Sequence, residues 1–345
     1  MVGRYGRTTM WLLGATALLV CSVLAGAMFG SAGPTPWRVP LAIIEHLPLV
    51  DFDSGVSETQ WNLIWTIRFP RVLLAALVGG MLSLGGASYQ GVFRNPLVDP
   101  YLLGAAAGAG LGATIAILYL RDEVNWFVDP TPALAFVLSL ATVAVTYTVG
   151  AAFGGNRTGA TLVLAGVAMV SLTTAIQTFV LQRNSEVVRE VYTWILGRLV
   201  NASWADIRLV LPYVAITTVI LLAHARHLDL FRVGDDEAAT LGAPVARIRL
   251  IVVVAATLGT AAVVSVSGLI GFVGLVVPHI VRLLAGASYR LLLPLSMLLG
   301  ASFLILVDIL SRIAIAPSEL PVGVVTAFIG APFFIYLLRT KRVAV

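Results

Sequence analysis

Ten long apolar stretches limit what this chain can fold into more strongly than any other feature of its sequence. A helix needs about 20 apolar residues to cross the hydrocarbon core of a bilayer, where backbone polar groups must be hydrogen-bonded internally. Charged residues make up 11% of the chain, against about 25% in soluble domains, so polar groups cannot cover its surface. We therefore predict an all-α polytopic membrane protein with about ten transmembrane helices. The predicted spans are 10–31, 69–92, 100–120, 132–153, 160–181, 206–224, 248–268, 270–285, 291–311 and 322–339.

The distribution of charge predicts the orientation of these helices. Membrane proteins concentrate lysine and arginine in the loops that face the cytoplasm. With the N-terminus placed inside, the inner segments hold 13 basic and 5 acidic residues, and the outer segments hold 9 basic and 12 acidic residues. We therefore expect both termini to face the cytoplasm.

The first span has a basic flank at Arg4 and Arg7, as a secretory signal peptide does. Its apolar core runs from Met10 to Phe29, which is long for the apolar region of a signal peptide. We favour a retained first helix, and a cleaved signal peptide is the alternative.

Several kinds of chemical site are missing from the sequence. The chain has one lysine, Lys341, and it does not lie in a phosphate-binding loop, so an ATPase that drives this protein would be a separate chain. His224 and His227 fall three residues apart at the end of the sixth span, which leaves a metal site there as a minor alternative. We predict no catalytic residue, no cofactor site and no metal site.

Segment 229–249 is the only long hydrophilic stretch on the predicted inner side. Gly234 and Asp235 are expected to cap a short helix from Asp236 to Leu241, with acidic residues at its positive end. Gly242 can end that helix in a left-handed conformation, and Pro244 can start the next one. We therefore predict two short helices joined by a tight turn, which together form an elbow. It is either a plain capped loop or a lever that seats in a groove of a partner.

Segment 182–205 is the second long connection on the predicted outer side. Between Glu186 and Leu199, apolar residues recur at helical spacing, with acidic residues early and Arg198 late. We expect a short outer helix there. The first outer connection, 32–67, is expected to hold a helix on the membrane surface, because its tryptophans suit the interface.

Proline and glycine interrupt the apolar pattern at two places, as transporters do beside a pathway. The prolines of Arg94–Pro100 forbid a regular helix between the second and third spans, and Asn95 can initiate a turn. A tight helix–helix turn also explains this sequence. The second break, Gly268–Gly286, leaves the boundary of the seventh and eighth spans indistinct. Close helix packing is predicted at the glycines of the adjoining helices: Gly79, Gly80, Gly85, Gly86, Gly104, Gly108, Gly110 and Gly112.

Three arginines lie at predicted outer ends of spans: Arg68 and Arg71 flank Pro70, and Arg312 ends the ninth span. Arginines at a membrane end often extend to the interface as anchors. The alternative is a docking site, because the guanidinium group pairs well with carboxylates of another protein.

Five motifs resemble those of one family, the permease subunits of binding-protein-dependent ABC importers for ferric siderophores, haem and cobalamin (the FecCD/BtuC type). The resemblance extends from about Ile67 to Leu338. The motifs are Arg-x-Pro-Arg at 68–71, Asn-Pro-Leu at 95–97, Trp-x-x-Gly at 194–197, Glu-Ala-Ala…Gly at 237–242 and Glu-Leu-Pro at 319–321.

The resemblance implies a type II importer permease, with residues 1–345 as a single transmembrane domain in a bacterial plasma (inner) membrane. Its expected partners are a second copy of the chain, two ATP-binding cassette subunits and an extracytoplasmic binding protein. ATP and Mg would bind to the partner ATPase, and no cofactor to this chain. The implied sites are a cytoplasmic gate (Asn95, Leu97, Gly159, Ala160), coupling to the ATPase (Asp236, Glu237, Ala238, Ala239, Leu241, Gly242) and docking of the binding protein (Arg68, Arg71, Arg312).

Two other functions compete with this interpretation. An ion-coupled secondary transporter usually holds ionisable residues in mid-membrane, and Asp308, near the outer end of its span, is the best candidate here. A membrane-embedded enzyme would need a nucleophile–base or metal constellation, which the sequence lacks. The motifs do not distinguish ferric siderophore, haem and cobalamin as the cargo.

Overall fold

A computed structural model describes residues 2–30, 34–46, 52–120, 129–152 and 159–340, and the regular structure in these ranges is helical. Long helices form a bundle, and short helices lie between them at both ends of it. The helices are α1 (Val2–Met28), α2 (Arg38–Glu45), α3 (Glu58–Leu63), α4 (Phe69–Phe93), α5 (Ala105–Tyr119), α6 (Pro130–Ala152), α7 (Gly159–Gln182), α8 (Val188–Ile195), α9 (Trp204–Ala223), α10 (Ala225–Phe231), α11 (Asp235–Thr240), α12 (Val245–Ser267), α13 (Val273–Ala285), α14 (Tyr289–Ile313) and α15 (Val322–Thr340). A π-helical turn (Ile64–Arg68) and two 3₁₀ turns (Pro100–Leu103 and Ser185–Val187) complete the set.

Each of the ten predicted spans contains one of these helices, which confirms the all-α fold class. Within the described residues, seven helices are long and apolar enough to cross a membrane, and α5, α13 and α15 are shorter apolar helices. The second span is longer than the sequence indicated. A capping box between Ser57 and Gln60 starts α3, which continues through the π-helical turn into α4 as one stretch, Glu58–Phe93. Residues 58–67 of this outer connection are therefore continuous with the second span, and a helix on the membrane surface within 32–67 stays a prediction.

The indistinct boundary near 268–272 is a real break between α12 and α13. Its backbone is bonded by Tyr101, whose hydroxyl donates to the carbonyl oxygen of Ile270 at 3.0 Å and accepts from the Ile270 N–H at 3.3 Å. Phe272 adopts a left-handed conformation (φ 67°) and begins α13. A non-helical segment in a membrane protein needs such partners, because lipid offers none.

The two ends of the bundle can be named by the short helices that they carry. The α8 end holds the starts of α4, α9 and α15 and the ends of α1, α12 and α14. One of the contacts that bring these starts together is the hydrogen bond from the Trp204 indole N–H to the carbonyl oxygen of Trp65, at 3.0 Å. The α11 end holds α10, α11 and the turn after α4. Segments from distant parts of the sequence therefore meet at each end.

Glycines bring α4 into backbone contact with its neighbours. A Cβ atom added at Gly79 would overlap the carbonyl oxygen of Gly300 on α14, and one added at Gly86 would overlap that of Gly274 on α13. On α5, Gly108 and Gly112 approach backbone carbonyl groups of α6 in the same way. The predicted role of these glycines in close packing is confirmed.

Replacing Gly86 by Ala should destabilise the protein by about 1–3 kcal/mol, the usual cost of overpacking a core, because α4 and α13 must move apart. Gly14→Ala on α1 is the matched control, since nothing lies within 4 Å of a Cβ atom at that position. Thermal unfolding in detergent measures both changes. Equal stability of the two variants would contradict this account of the α4–α13 contact.

Candidate functional site

The three arginines predicted at the outer mouth converge at the α8 end. Arg71 on α4 donates from Nε to Asp308 Oδ1 at 2.9 Å and from Nη2 to Glu319 Oε2 at 2.8 Å. Arg312 pairs with the other Asp308 oxygen, Oδ2, through Nη2 at 2.9 Å. Asp308 is 0% exposed and lies between the two guanidinium groups. We call these four side chains together with Arg68 the arginine cluster.

The C-terminal end of α1 supplies the remaining acceptors of the arginine cluster. Arg68 Nη1 donates to the carbonyl oxygens of Ala27 and Met28, at 2.9 and 3.2 Å. Arg312 Nη1 donates to the carbonyl oxygen of Phe29 at 2.9 Å and to that of Gly26. The last carbonyl groups of a helix carry partial negative charge and have no partner within the helix. They therefore compensate for the excess of three arginines over two carboxylates.

The burial of the three arginines limits the functions that the arginine cluster can have. Arg68 and Arg71 are each 5% exposed and Arg312 is 3% exposed, so they are not anchors that extend into the membrane interface. Docking of a binding protein at these residues remains a prediction, and it would have to involve groups that already have partners. Asp308, the residue on which ion coupling would depend, is held between two arginines.

Replacing Asp308 by Asn should lower the free energy of unfolding by about 3–5 kcal/mol, because Arg71 and Arg312 would lose the buried carboxylate between them. Glu319→Gln is the matched control, since the Glu319 side chain is 22% exposed and lies at the edge of the cluster. It should cost about 1 kcal/mol or less. Chemical denaturation of the purified protein separates the two effects, and equal losses would refute the central position of Asp308.

The turn after α4 holds two of the predicted gate residues at the α11 end. Arg94 ends α4 in a left-handed conformation (φ 49°), and Asn95 Oδ1 accepts from the Leu97 N–H at 2.9 Å. Asp99 then caps the first 3₁₀ turn by accepting from the Tyr101 N–H at 3.1 Å, and burial raises the pKa of this carboxyl to about 6. Leu97 is 53% exposed, so its side chain projects from the turn.

The other two predicted gate residues, Gly159 and Ala160, begin α7, and their side chains lie outside the described residues. The helix itself lies beside the first 3₁₀ turn. A Cβ atom added at Gly166 would overlap the carbonyl oxygen of Leu102. The two segments predicted to form the gate are therefore in neighbouring elements, although their role as a gate is not tested by this contact.

Five of the six predicted coupling residues are exposed on and after α11: Asp236, Glu237, Ala239, Leu241 and Gly242. Ala238 is buried in the core instead. Leu241 is 66% exposed. Gly242 has φ +84°, as the predicted left-handed helix end requires.

The elbow around α11 differs from the prediction in its second helix. Pro244 leads directly into the long α12, and the second short helix is α10, which precedes α11.

At the other end of the bundle the predicted outer helix is shorter than expected. It ends at Ile195, because Gly197 turns the chain with φ +71°, and Arg198 lies beyond it.

Sequence reasoning assigned Asp235 to helix capping and missed its principal contacts. Its Oδ2 accepts from Arg249 Nη2 of α12 at 2.7 Å, and its Oδ1 lies 3.9 Å from Arg94 Nε. Arg94 begins the turn that carries Asn95 and Leu97. The first residue of α11 therefore joins that short helix both to α12 and to the turn after α4.

Asp235→Asn should destabilise the protein by about 1–2 kcal/mol more than Asp236→Asn. Both changes remove one charge from the first turn of α11, so their effects on the helix dipole are matched. Of these two aspartates, it is Asp235 that pairs with Arg249, a residue that is 6% exposed. Chemical denaturation of both variants gives the difference directly, and a difference near zero would show that this ion pair contributes nothing.

Comparison with known proteins adds four findings. The FecCD transport family matches residues 13–340. The chain is 40% identical over 312 residues to the cobalamin import system permease protein of Halobacterium salinarum, covering 90% of this chain and 82% of the relative. It is 37% identical over 300 residues to the hemin transport system permease protein of Yersinia pestis, covering 84% and 87%. A solved structure described as an inward-facing conformation of a metal-chelate type ABC transporter matches with a TM-score of 0.81, at 29% identity, over 95% of this chain and 98% of that chain.

Proposed function

The chain belongs to the FecCD transport family, and we propose that it is the permease subunit of an ABC importer that moves a metal chelate across the membrane. The cargo is an iron chelate (a ferric siderophore or haem) or cobalamin, since the names of its relatives include import systems for cobalamin, hemin and iron(3+)-hydroxamate. ATP and Mg bind to a separate ATP-binding cassette subunit, and this chain carries out no covalent chemistry. Two copies of the chain enclose the pathway, with the α11 end and both termini in the cytoplasm of a bacterial cell.

The observation that carries this proposal is the link from α11 to the turn after α4. The exposed residues of α11 and Leu241 form the contact with the ATPase subunit. Movement of that subunit shifts Asp235, and Asp235 acts on Arg94 at 3.9 Å and on Arg249 at 2.7 Å. Leu97 and Asn95, in the turn that Arg94 begins, form one side of the cytoplasmic gate, and the start of α7 with Gly159 and Ala160 forms the other.

At the α8 end the proposed partner is an extracytoplasmic binding protein. Its acidic residues pair with the arginine cluster, and Glu319 is the carboxylate that they would replace. Glu319 lies at the exposed edge of the cluster and uses both of its oxygens on Arg71, through Nη1 at 3.1 Å and Nη2 at 2.8 Å. Asp308 stays in place behind it.

Gly242→Pro tests the proposed coupling. Proline fixes φ near −65° and removes the N–H, whereas Gly242 has φ +84° and donates to the carbonyl oxygen of Ala239 at 2.9 Å. The complete transporter should keep its basal ATP hydrolysis, but stimulation by the loaded binding protein and uptake into proteoliposomes should fall to the unstimulated level.

Gly242→Asn is the matched control, because asparagine tolerates the left-handed conformation better than other residues with a side chain. An added Cβ atom at this position meets nothing within 4 Å. This variant should retain stimulated hydrolysis and uptake. Wild-type stimulation in Gly242→Pro would refute the role of α11, and proton-driven uptake by the isolated chain would favour a secondary transporter.

A further inference from the structure

A cavity of about 610 Å³ lies between α6, α8, α9 and α12 at the α8 end. Both α6 and α9 pack against α12. They meet each other where the rings of Phe136 and Tyr213 lie 5.2 Å apart. Above that contact, toward α8, the two helices leave the space open, and Trp194 of α8 lines it from above.

The lining of the cavity changes from polar to apolar along the helix axes. Asp129, Arg198 and Asp206 lie at the level where α6 and α9 begin, and Phe136 and Tyr213 lie two turns deeper. On the outer surface, Val137 of α6 is 57% exposed and Leu209 of α9 is 47% exposed. In a membrane protein such apolar side chains face lipid, so the cavity opens sideways toward the acyl chains. The change from a polar to an apolar lining matches the change from headgroup to acyl chain along a lipid that is oriented parallel to the bilayer normal.

Four charged residues line the cavity, and three of them, Asp129, Arg198 and Asp206, are only partly used by the protein, whereas Glu190 of α8 has an interaction of its own. Asp129 accepts from the Thr131 N–H with Oδ1, and Asp206 accepts from the Ser203 N–H and hydroxyl with Oδ2. The other carboxylate oxygen of each residue has no hydrogen bond within the described part of the chain. The half-buried guanidinium group of Arg198 likewise makes no hydrogen bond or ion pair with a described residue.

We propose that this cavity binds a phospholipid with a protonated primary-amine headgroup, of the phosphatidylethanolamine type. The phosphodiester pairs with Arg198, since arginine favours planar, charge-assisted contacts with phosphate oxygens. The ammonium group donates to the second oxygens of Asp129 and Asp206. A cavity of this size accommodates a ligand of small-molecule dimensions, so it holds the headgroup and the upper part of one chain, and the remainder stays in the bilayer.

The headgroup chemistry predicts a specific order of affinities. A quaternary ammonium group has no N–H donor, so phosphatidylcholine loses the hydrogen bonds to both aspartates. Phosphatidylglycerol places no positive charge near them. A hydrogen bond to a charged group corresponds to about tenfold or more in affinity. Phosphatidylethanolamine should therefore bind at least about tenfold more tightly than either lipid with the same acyl chains.

Native mass spectrometry of the delipidated complete transporter, titrated with each of the three lipids, measures this order. Asp129→Asn keeps an acceptor for the Thr131 N–H but removes the charge, and it should reduce the preference for phosphatidylethanolamine over phosphatidylcholine. Arg198→Gln should weaken the binding of all three lipids about tenfold. Equal binding of the three lipids by the wild-type transporter would overturn the proposal.

A pair of alanines on α6 locates the binding site. Ala133 is exposed and lines the cavity, and Ala133→Trp should fill its mouth and abolish the preferential binding. Ala144, exposed as well, lies three turns further along the same face, roughly 16 Å away. Ala144→Trp adds the same bulk and should leave lipid binding unchanged.

Unchanged binding in Ala133→Trp, or equal loss in both variants, would place the lipid elsewhere and refute the proposal. A change in the number of chains in the complex with Ala133→Trp alone would show that another protein subunit covers the cavity, which would also overturn it. Neither readout depends on transport, so the outcome is independent of the proposed cargo and of the coupling mechanism.

Discussion

Backbone contact between α4 and its two neighbours fixes the relation between the two ends of this molecule. At Gly79 and Gly86, α4 lies so close to α14 and α13 that no side chain fits between them. The same helix carries Arg71 at the α8 end and Arg94 at the α11 end, 23 residues apart, which corresponds to about 35 Å along a helix. Packed interiors are dense and resist continuous deformation. A displacement at one end of α4 is therefore expected to move the helix as a rigid body.

Ion pairs tie both ends of this rigid helix to other elements. Arg71 reaches Asp308 on α14 and Glu319 just before α15, and Arg94 approaches Asp235 on α11. The Arg71–Asp308 pair is buried, and the Arg94–Asp235 pair is partly exposed. Removing one partner from a buried pair is far more costly than removing one from an exposed pair. The junction of α4 and α14 at the α8 end is thus held in one arrangement, whereas the α11 end can change its contacts at lower cost.

The sequence predicted the features that depend on local patterns. The apolar stretches predicted the long helices, and the residue type at Gly242 predicted its left-handed conformation. The Asp235–Arg249 pair and the Arg71–Asp308 pair join residues 14 and 237 positions apart. No local signal encodes such pairs, because they depend on which helices become neighbours. The second span was predicted to begin at residue 69, whereas the π-helical turn before Pro70 lets the helix continue from α3 into α4.

The arginines were predicted at the outer ends of spans, but their burial was not predicted. Hydropathy places Arg68, Arg71 and Arg312 at the ends of spans, where an arginine is ordinarily assumed to reach water. The end of α1 covers them instead, and its carbonyl oxygens replace the water as hydrogen-bond acceptors. The contacts join the end of α1 to the start of α4, about 40 residues later, and to the end of α14, about 280 residues later. A single sequence does not reveal contacts between segments so far apart.

The position of Glu319 connects docking at the α8 end to α15, the helix that follows it. Under the proposed docking, a partner carboxylate that pairs with Arg71 takes the place of Glu319, so the number of ion pairs does not change and the gain in affinity is small. The exchange releases the segment before α15 instead. That segment is bonded to α14, where the Leu320 N–H donates to the Ser311 carbonyl oxygen at 3.0 Å.

The start of α15 is in turn bonded to the end of α8. The N–H groups of Val322 and Gly323 donate to the carbonyl oxygens of Gly197 and Leu196, each at 3.1 Å. Movement of Glu319 therefore acts on α15 and on the residues after α8 together, while Asp308 keeps α4 and α14 joined. Docking at this end would then move α15 and the residues after α8, while α4 and α14 stay joined to each other. The two carboxylates of the arginine cluster therefore differ in function: the exposed Glu319 responds to docking, and the buried Asp308 holds α4 and α14 together.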